Sequence, residues 1–230
     1  MGGNSDAGVG GQFINAMLDG YDTSKIWKYA TIVTPVAADT NMNPYPTKLF
    51  QVPYSSKPVL SSYCYWKFWK SGVDICVTEI EKTIEEEGIE LVWIVLNSFN
   101  LIQIASKLSK KIEIPFVAHI WDSPEYLAKN YRLNGFTKKH LFQQFVDVMK
   151  NAARGVTVSN SMSNIFKQRY GIESKPMVFC PPKDSWRAVK SKQNNPHGIN
   201  IVFAGSLYAT QEWNAFLDAV AKRNKEKKVK

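Results

Sequence analysis

Short apolar runs alternate with helical patterns along most of this chain, and this alternation limits the fold more than any other feature. The run LVWIVL at 91–96 is apolar at every position, as in a central strand that helices cover on both faces of a sheet. The same cycle of apolar run, turn and helical pattern then recurs. Because such cycles form right-handed crossovers between parallel strands, the sequence predicts an α/β fold with a doubly wound parallel sheet.

The apolar runs are the predicted strands, and segments with apolar residues every three or four positions are the predicted helices. The strands are expected at 30–36, 49–53, 91–96, 114–120, 155–158, 177–180 and 200–204. The helices are expected at 74–87, 100–111, 137–153, 160–170 and 212–223. Gly88 and Gly171 should end two helices, and Ser159 or Asn160 should cap another. The last helix should turn Trp213, Phe216, Leu217 and Val220 inward.

A polar segment at 183–198 divides the chain in two. It is rich in Lys, Ser, Gln, Asn and Pro and has little periodicity, which is typical of an interdomain linker. We therefore predict one domain over 1–182, a linker over 183–198 and the start of a second domain over 199–230. The second holds one strand and one helix, and the Gly-rich loop at 8–12 has no strand before it. We expect a fragment at both ends.

Charge and cysteine content narrow the class of protein. The net charge is +9, but residues 222–230 carry +5 of it, so solvated lysines at a helix end explain the excess without a nucleic-acid partner. No apolar run approaches the ~20 residues that cross a bilayer. The three cysteines are far apart and do not have metal-site spacing. We expect buried free thiols, no metal site and a cytoplasmic location.

The segment His119-Ile-Trp-Asp122-Ser-Pro-Glu125 places a histidine and two carboxylates at the end of a predicted strand. Ligands of open α/β sheets bind beyond the carboxyl ends of the strands. A histidine and an aspartate there can orient a hydroxyl and accept its proton. The alternative is structural: Asp122 would cap a short helix begun by Pro124, and a backbone carbonyl would hold His119.

Other strand ends offer weaker candidates. Gly10 and Gly11 would let backbone N–H groups approach a ligand closely, or they belong to a flexible chain end. Ser159 and Ser161 follow the predicted strand at 155–158, and the turn at 205–208 follows the strand at 200–204.

Several motifs, taken in order, resemble one known family. They are the Gly-Gly loop, HIWDSPE, ARGVTVSNSMSNIFKQRYGI, MVFCPPKDS and IVFAGSLYATQEWNAFLDAV. Together they resemble the N-terminal half of family 4 retaining glycosyltransferases, which have two facing Rossmann-like domains in the GT-B architecture. The resemblance covers nearly the whole chain.

The resemblance implies transfer of a sugar from a nucleotide-diphosphate donor to a hydroxyl of a glycan or a lipid-linked acceptor, as in polysaccharide biosynthesis. His119 and Asp122 would be catalytic. Gly10, Gly11, Glu125, Ser159 and Ser161 would bind the acceptor, while Gly205 and Ser206 would lie near the donor pyrophosphate. The nucleotide sugar is a substrate, and no cofactor is implied.

Three positions depart from the family pattern. The family commonly has Arg where Ser206 stands, and Lys-Gly where Gln211 and Glu212 stand. Neither Ser206 nor Gln211 can neutralise a phosphate. The family's paired glutamates and nucleotide-binding strands would lie further along, so we expect this chain to be inactive alone.

The segment YCYWKFWK at 63–70 interleaves rings with Lys67 and Lys70. Such a mixture suits a membrane interface, and we expect peripheral contact with the inner face of a membrane, to which Lys138, Lys139 and His140 would add. The alternative is a packing segment with its lysines outward, and a single-stranded nucleic-acid platform fits less well. A sugar-nucleotide epimerase and a noncatalytic two-lobed ligand-binding protein remain the alternatives to the transferase.

Overall fold

A computed structural model of the chain describes residues 30–34, 47–55, 57–177 and 210–228. The chain divides into two compact units, Met1–Pro181 and Pro182–Lys230. The described strands are Ala30–Thr34 (β1), Thr47–Gln51 (β2), Val92–Leu96 (β3), Phe116–Ile120 (β4), Arg154–Thr157 (β5) and Lys175–Pro176 (β6). The described helices are Pro58–Ser71 (α1), Val73–Glu86 (α2), Phe99–Leu108 (α3), Pro124–Asn130 (α4), Gly135–Asn151 (α5), Asn160–Tyr170 (α6) and Thr210–Lys228 (α7).

The first unit contains a four-stranded parallel sheet in the order β3-β4-β5-β6. Strands β1 and β2 form a separate parallel pair. This is an α/β fold with a parallel sheet, as the alternation of patterns predicts, and it is consistent with a Rossmann-like architecture. Because successive strands lie side by side and crossovers are right-handed, α3, α4, α5 and α6 share one face of the sheet.

Double winding requires a second set of strands that extends the sheet in the opposite direction. Among the described residues the four-stranded sheet runs in one direction, and no pairing joins it to β1 or β2. The run at 91–96 was expected to form a central strand, but β3 lies at the edge of the described sheet, and Leu91 and Trp93 are exposed. Double winding therefore stays a prediction.

Most predicted elements are present, with ends that shift by a few residues. Helix α6 agrees with its prediction at both ends, because Ser159 caps it and Gly171 ends it with φ +66°. Helix α1 was not predicted, since its 14 residues have apolar side chains on all sides. Strand β6 ends directly before the strand predicted at 177–180, and residues 178–180 lie outside the described part, so that strand stays a prediction.

The core lies between the sheet and its helices. Helix α3 is its centre, and Phe99, Ile102, Ala105 and Leu108 are buried there. Alternate residues of the strands face these helices, including Ile94 and Leu96 of β3 and Phe116, Ala118 and Ile120 of β4. Cys64 and Cys76 are buried free thiols, as predicted, and Cys180 lies outside the described residues.

Helix α7 belongs to the second unit and differs from its prediction. It extends to both sides of the expected span at 212–223. Trp213 and Val220 are half-buried, while Phe216 and Leu217 are exposed. The expectation that all four side chains turn inward is therefore wrong for Phe216 and Leu217. The predicted strand at 200–204 and linker at 183–198 lie outside the described residues. Across all the described residues, no helix is long and apolar enough to cross a membrane.

Candidate functional site

The candidate site lies at the carboxyl edge of the four-stranded sheet. Leu96, Ile120 and Thr157 are register partners in the last shared row of β3, β4 and β5. Because the strands are parallel, the chain leaves all three strands at the same edge. The segments that follow begin at Asn97, Trp121 and Val158, so polar side chains from three loops are brought to one side of the sheet.

A carboxylate and two tyrosines meet at this edge. Asp122 is half-buried two residues after β4 ends, and this burial raises the pKa of its carboxyl group. Burial also raises the pKa of the Tyr131 phenol, and the nearby groups of Tyr54 and Asp122 raise it further. The rings of Tyr54 and Tyr131 are 6.2 Å apart and meet edge to face. Asp122 therefore lies near the phenol of Tyr131, which in turn packs against the ring of Tyr54.

One of the side chains that follow β3 packs against Tyr131. Phe99 is buried, and its ring meets that of Tyr131 edge to face at 4.7 Å. Ser98 caps α3 by accepting a hydrogen bond from Leu101 N at 3.3 Å. The next residue of the helix, Asn100, is buried, and its Nδ2 has no hydrogen-bond partner within the described part of the chain.

His119 lies inside β4, with only 1% of its surface exposed. Its ring meets Trp93 at 5.6 Å and Trp121 at 5.8 Å, both edge to face. Trp121 Nε1 donates a hydrogen bond to His119 Nδ1 at 3.3 Å, so the neutral ring carries its proton on Nε2. Burial lowers the pKa of His119 to about 4, and the ring is therefore neutral at pH 7.

The structural alternative for this segment is confirmed for Pro124, which begins α4, and wrong about the cap. Ser123, and not Asp122, caps α4, because its hydroxyl accepts a hydrogen bond from Tyr126 N at 3.1 Å. The indole of Trp121 donates a hydrogen bond to the His119 ring, and the expected backbone carbonyl partner of His119 stays a prediction. Asp122 is thus not needed as a helix cap. Its carboxylate remains a candidate for chemistry.

Glu125 is bound by two residues at the carboxyl end of α6. Tyr170 donates a hydrogen bond to its carboxylate, and Arg169 Nη1 lies 3.6 Å from the same oxygen. These contacts join the first turn of α4 to the last turn of α6. An acceptor would have to compete with Tyr170 and Arg169 for this carboxylate.

The two candidate serines differ in environment. Ser159 caps α6 by accepting a hydrogen bond from Met162 N at 3.2 Å, and its carbonyl accepts one from Thr157 Oγ1 at 3.1 Å. Ser161 is exposed on the first turn of the helix. Gly10, Gly11, Gly205 and Ser206 lie outside the described residues, and their predicted roles stay predictions.

Sequence reasoning missed Tyr54 and Tyr131. Tyr54 follows β2 by three residues, and Tyr131 comes directly after α4. Tyr54 could have been identified from the sequence, because it is an aromatic residue close to the end of a strand. Tyr131 could not, because its contact with Phe99 arises only from the packing of the folded chain.

Two further observations concern ligands. In the described ranges, no group of three or more His, Cys, Asp or Glu side chains could hold a metal ion. An open groove of about 470 Å³ is lined in part by Lys138, Lys139, Phe142 and Tyr170.

Comparisons of this chain with protein-family models, with curated proteins and with solved structures give no match.

Proposed function

We propose that this chain forms the acceptor-binding side of a retaining glycosyltransferase of the GT-B type. The observation that supports this most is the cluster of Asp122, Tyr54 and Tyr131 at the carboxyl edge of the sheet. A carboxylate accepts strong hydrogen bonds from sugar hydroxyls. Tyrosine offers an apolar ring for the C–H face of a sugar and a hydroxyl for its polar rim. Such a combination suits a carbohydrate acceptor.

In this proposal Asp122 binds the acceptor hydroxyl and accepts its proton. The acceptor oxygen bonds to the sugar carbon on the same face from which the nucleotide diphosphate leaves, so the configuration of the sugar is retained. A general base works best when its pKa lies near the working pH. Burial raises the pKa of Asp122 in that direction. Gly205 and Ser206 are the proposed donor contacts.

His119 has a supporting part in the same proposal. The buried neutral ring fixes Trp121, and Trp121 directly precedes Asp122 in the chain. A substitution at His119 would then displace Asp122 without removing the carboxylate. We expect His119→Ala and Asp122→Asn each to lower the turnover of the protein encoded by the complete reading frame at least tenfold.

Acceptor binding can be tested on this chain by saturation-transfer NMR with a panel of oligosaccharides. We expect some of the oligosaccharides to bind. Asp122→Asn should weaken that binding at least tenfold, because it removes the charged carboxylate that accepts hydrogen bonds from the sugar. Tyr54→Ala should weaken it as well. Asp147→Asn is the matched control, since Asp147 is on α5 and contacts Gln143 and Lys110. The absence of binding to any oligosaccharide, or equal binding by Asp122→Asn, would count against the proposal.

Transfer itself is tested by incubating the protein encoded by the complete reading frame with nucleotide sugars and a bound oligosaccharide. A transferase releases nucleotide diphosphate and lengthens the oligosaccharide. A sugar-nucleotide epimerase converts the nucleotide sugar without any acceptor, and a noncatalytic binding protein leaves both reactants unchanged. These three outcomes separate the proposal from its two alternatives.

A further inference from the structure

The outward face of helix α1 combines apolar and basic side chains. Val59 is 82% exposed and Tyr63 is 61% exposed, and they stand one helical turn apart. Lys67 and Lys70 are exposed further along the same face. The opposite face of the helix is buried and includes Tyr65 and Phe68. The helix is thus anchored by one side and presents an amphipathic surface on the other.

The beginning of helix α5 extends this surface. Phe136 is 74% exposed, and its ring stacks on Trp66 of α1 with centroids 5.5 Å apart. Trp66 Nε1 donates to Thr137 Oγ1 at 3.0 Å, and Asn134 N donates to Ser62 Oγ at the same distance. These contacts join the two helices. The exposed side chains of Val59, Tyr63 and Phe136 therefore belong to one surface, which we call the α1–α5 face.

The charge around the α1–α5 face is of one sign. The exposed lysines next to it are Lys57, Lys67, Lys70 and Lys139. Residues 57–71 and 134–146 contain no Asp or Glu. In the described part of the chain, none of these four lysines takes part in an ion pair. Elsewhere on the same unit, lysines such as Lys107 and Lys111 pair with carboxylates of α2.

We propose that the α1–α5 face docks on the surface of an anionic phospholipid bilayer. Exposed aliphatic and aromatic side chains enter the boundary between headgroups and acyl chains, while lysines contact lipid phosphates. A nucleic acid offers the same phosphates but needs flat rings for stacking bases. Val59 and Leu60 are exposed aliphatic side chains that cannot stack in this way, and they favour a bilayer. The proposal does not depend on glycosyl transfer.

Co-sedimentation of the full chain with vesicles tests it, with neutral phosphatidylcholine alone or mixed with anionic phosphatidylglycerol, at about 0.1 M salt. We expect binding to the anionic vesicles and at least tenfold weaker binding to the neutral ones. Lys67→Glu with Lys139→Glu should weaken anionic binding at least tenfold, because each lysine near such a surface contributes about fivefold. Lys150→Glu with Lys175→Glu changes the net charge equally on other exposed sites and should have a much smaller effect.

The apolar part is tested by Phe136→Ser, with Ile165→Ser on α6 as its matched control. Phe136→Ser should weaken binding to anionic vesicles at least threefold, and the control should leave it unchanged. Circular dichroism of each variant verifies the fold. No binding to anionic vesicles, or equal losses in face and control variants, would overturn the proposal. If the chain binds single-stranded RNA more tightly than anionic vesicles, and loses this binding in the double lysine variant but keeps it in Phe136→Ser, the face binds a nucleic acid and not a bilayer.

Discussion

The hydroxyl of Tyr65 is fully buried between helices α1 and α5. It donates a hydrogen bond to Gln144 Oε1 at 2.6 Å and lies 2.8 Å from His140 Nδ1. Gln103 of α3 adds a bond from its Nε2 to the Tyr65 carbonyl at 3.1 Å. Three helices are thereby joined through polar side chains. The sequence shows Tyr65 only as one ring in an aromatic segment.

Tyr65→Phe tests this network at the scale of one residue. The change keeps the ring and leaves Gln144 and His140 without their buried partner, so we expect a loss of about 1–3 kcal/mol in the free energy of unfolding. Urea denaturation measures it. Tyr63→Phe is the matched control, since Tyr63 is exposed on the same helix, and it should change stability very little. Equal effects at the two positions would show that the network contributes nothing.

The buried ring of His119 makes stability depend on pH. Its pKa falls from 6.5 to about 4 on folding because burial disfavours the charged ring. Between those values the unfolded chain binds a proton and the folded chain does not, so this group costs stability as pH falls from 6.5 towards 4. The loss from this residue should be about 1–3 kcal/mol.

Urea unfolding at about pH 7.5 and at about pH 5 measures this linkage in the unaltered protein and in His119→Gln. The variant cannot bind a proton at this position, so acidification should cost it less stability than the unaltered protein. Groups such as His140, whose pKa burial also lowers, are common to both and cancel. The same acid loss in both proteins would contradict the assignment.

The stability of helix α6 depends in part on its N-terminal cap. Ser159 accepts the hydrogen bond of Met162 N, one of the N–H groups that the first turn cannot satisfy. We expect Ser159→Ala to cost about 1 kcal/mol, and Ser159→Asn, which can also cap, to restore most of it. Ser161→Ala, two residues on and exposed, should cost much less. If Asn fails to restore stability, Ser159 does not act as a cap.

At the scale of elements, local signals predicted α6 well and α1 poorly. A serine cap, a regular apolar spacing and a glycine at positive φ identify α6, and all three act within a few residues. In α1, apolar side chains lie on the exposed side of the helix as well as on the buried side, so no polar stripe marks the exposed side. Its buried side is chosen by contacts with α3 and α5, which are far away in the sequence.

The described core extends from Val52 to Ile172 and lies wholly within the first unit. Removal of residues 182–230 therefore deletes none of its members. We expect the shortened chain to unfold cooperatively, with a melting temperature within a few degrees of the full chain. Differential scanning calorimetry measures this. A shortened chain that aggregates or lacks a cooperative transition would show that the second unit is needed for the first to fold.

The sequence by itself determined the α/β class, the parallel strands, the buried thiols and the position of Asp122 at a strand end. These depend on spacing along the chain, which a helix or strand converts directly into a buried face. Only the tertiary structure decided that Tyr54 and Phe99 pack against Tyr131 near Asp122. It also decided that Phe136 extends the exposed face of α1. Those contacts join residues far apart in the chain, and they are set by the packing of whole helices against one sheet, which no local pattern records.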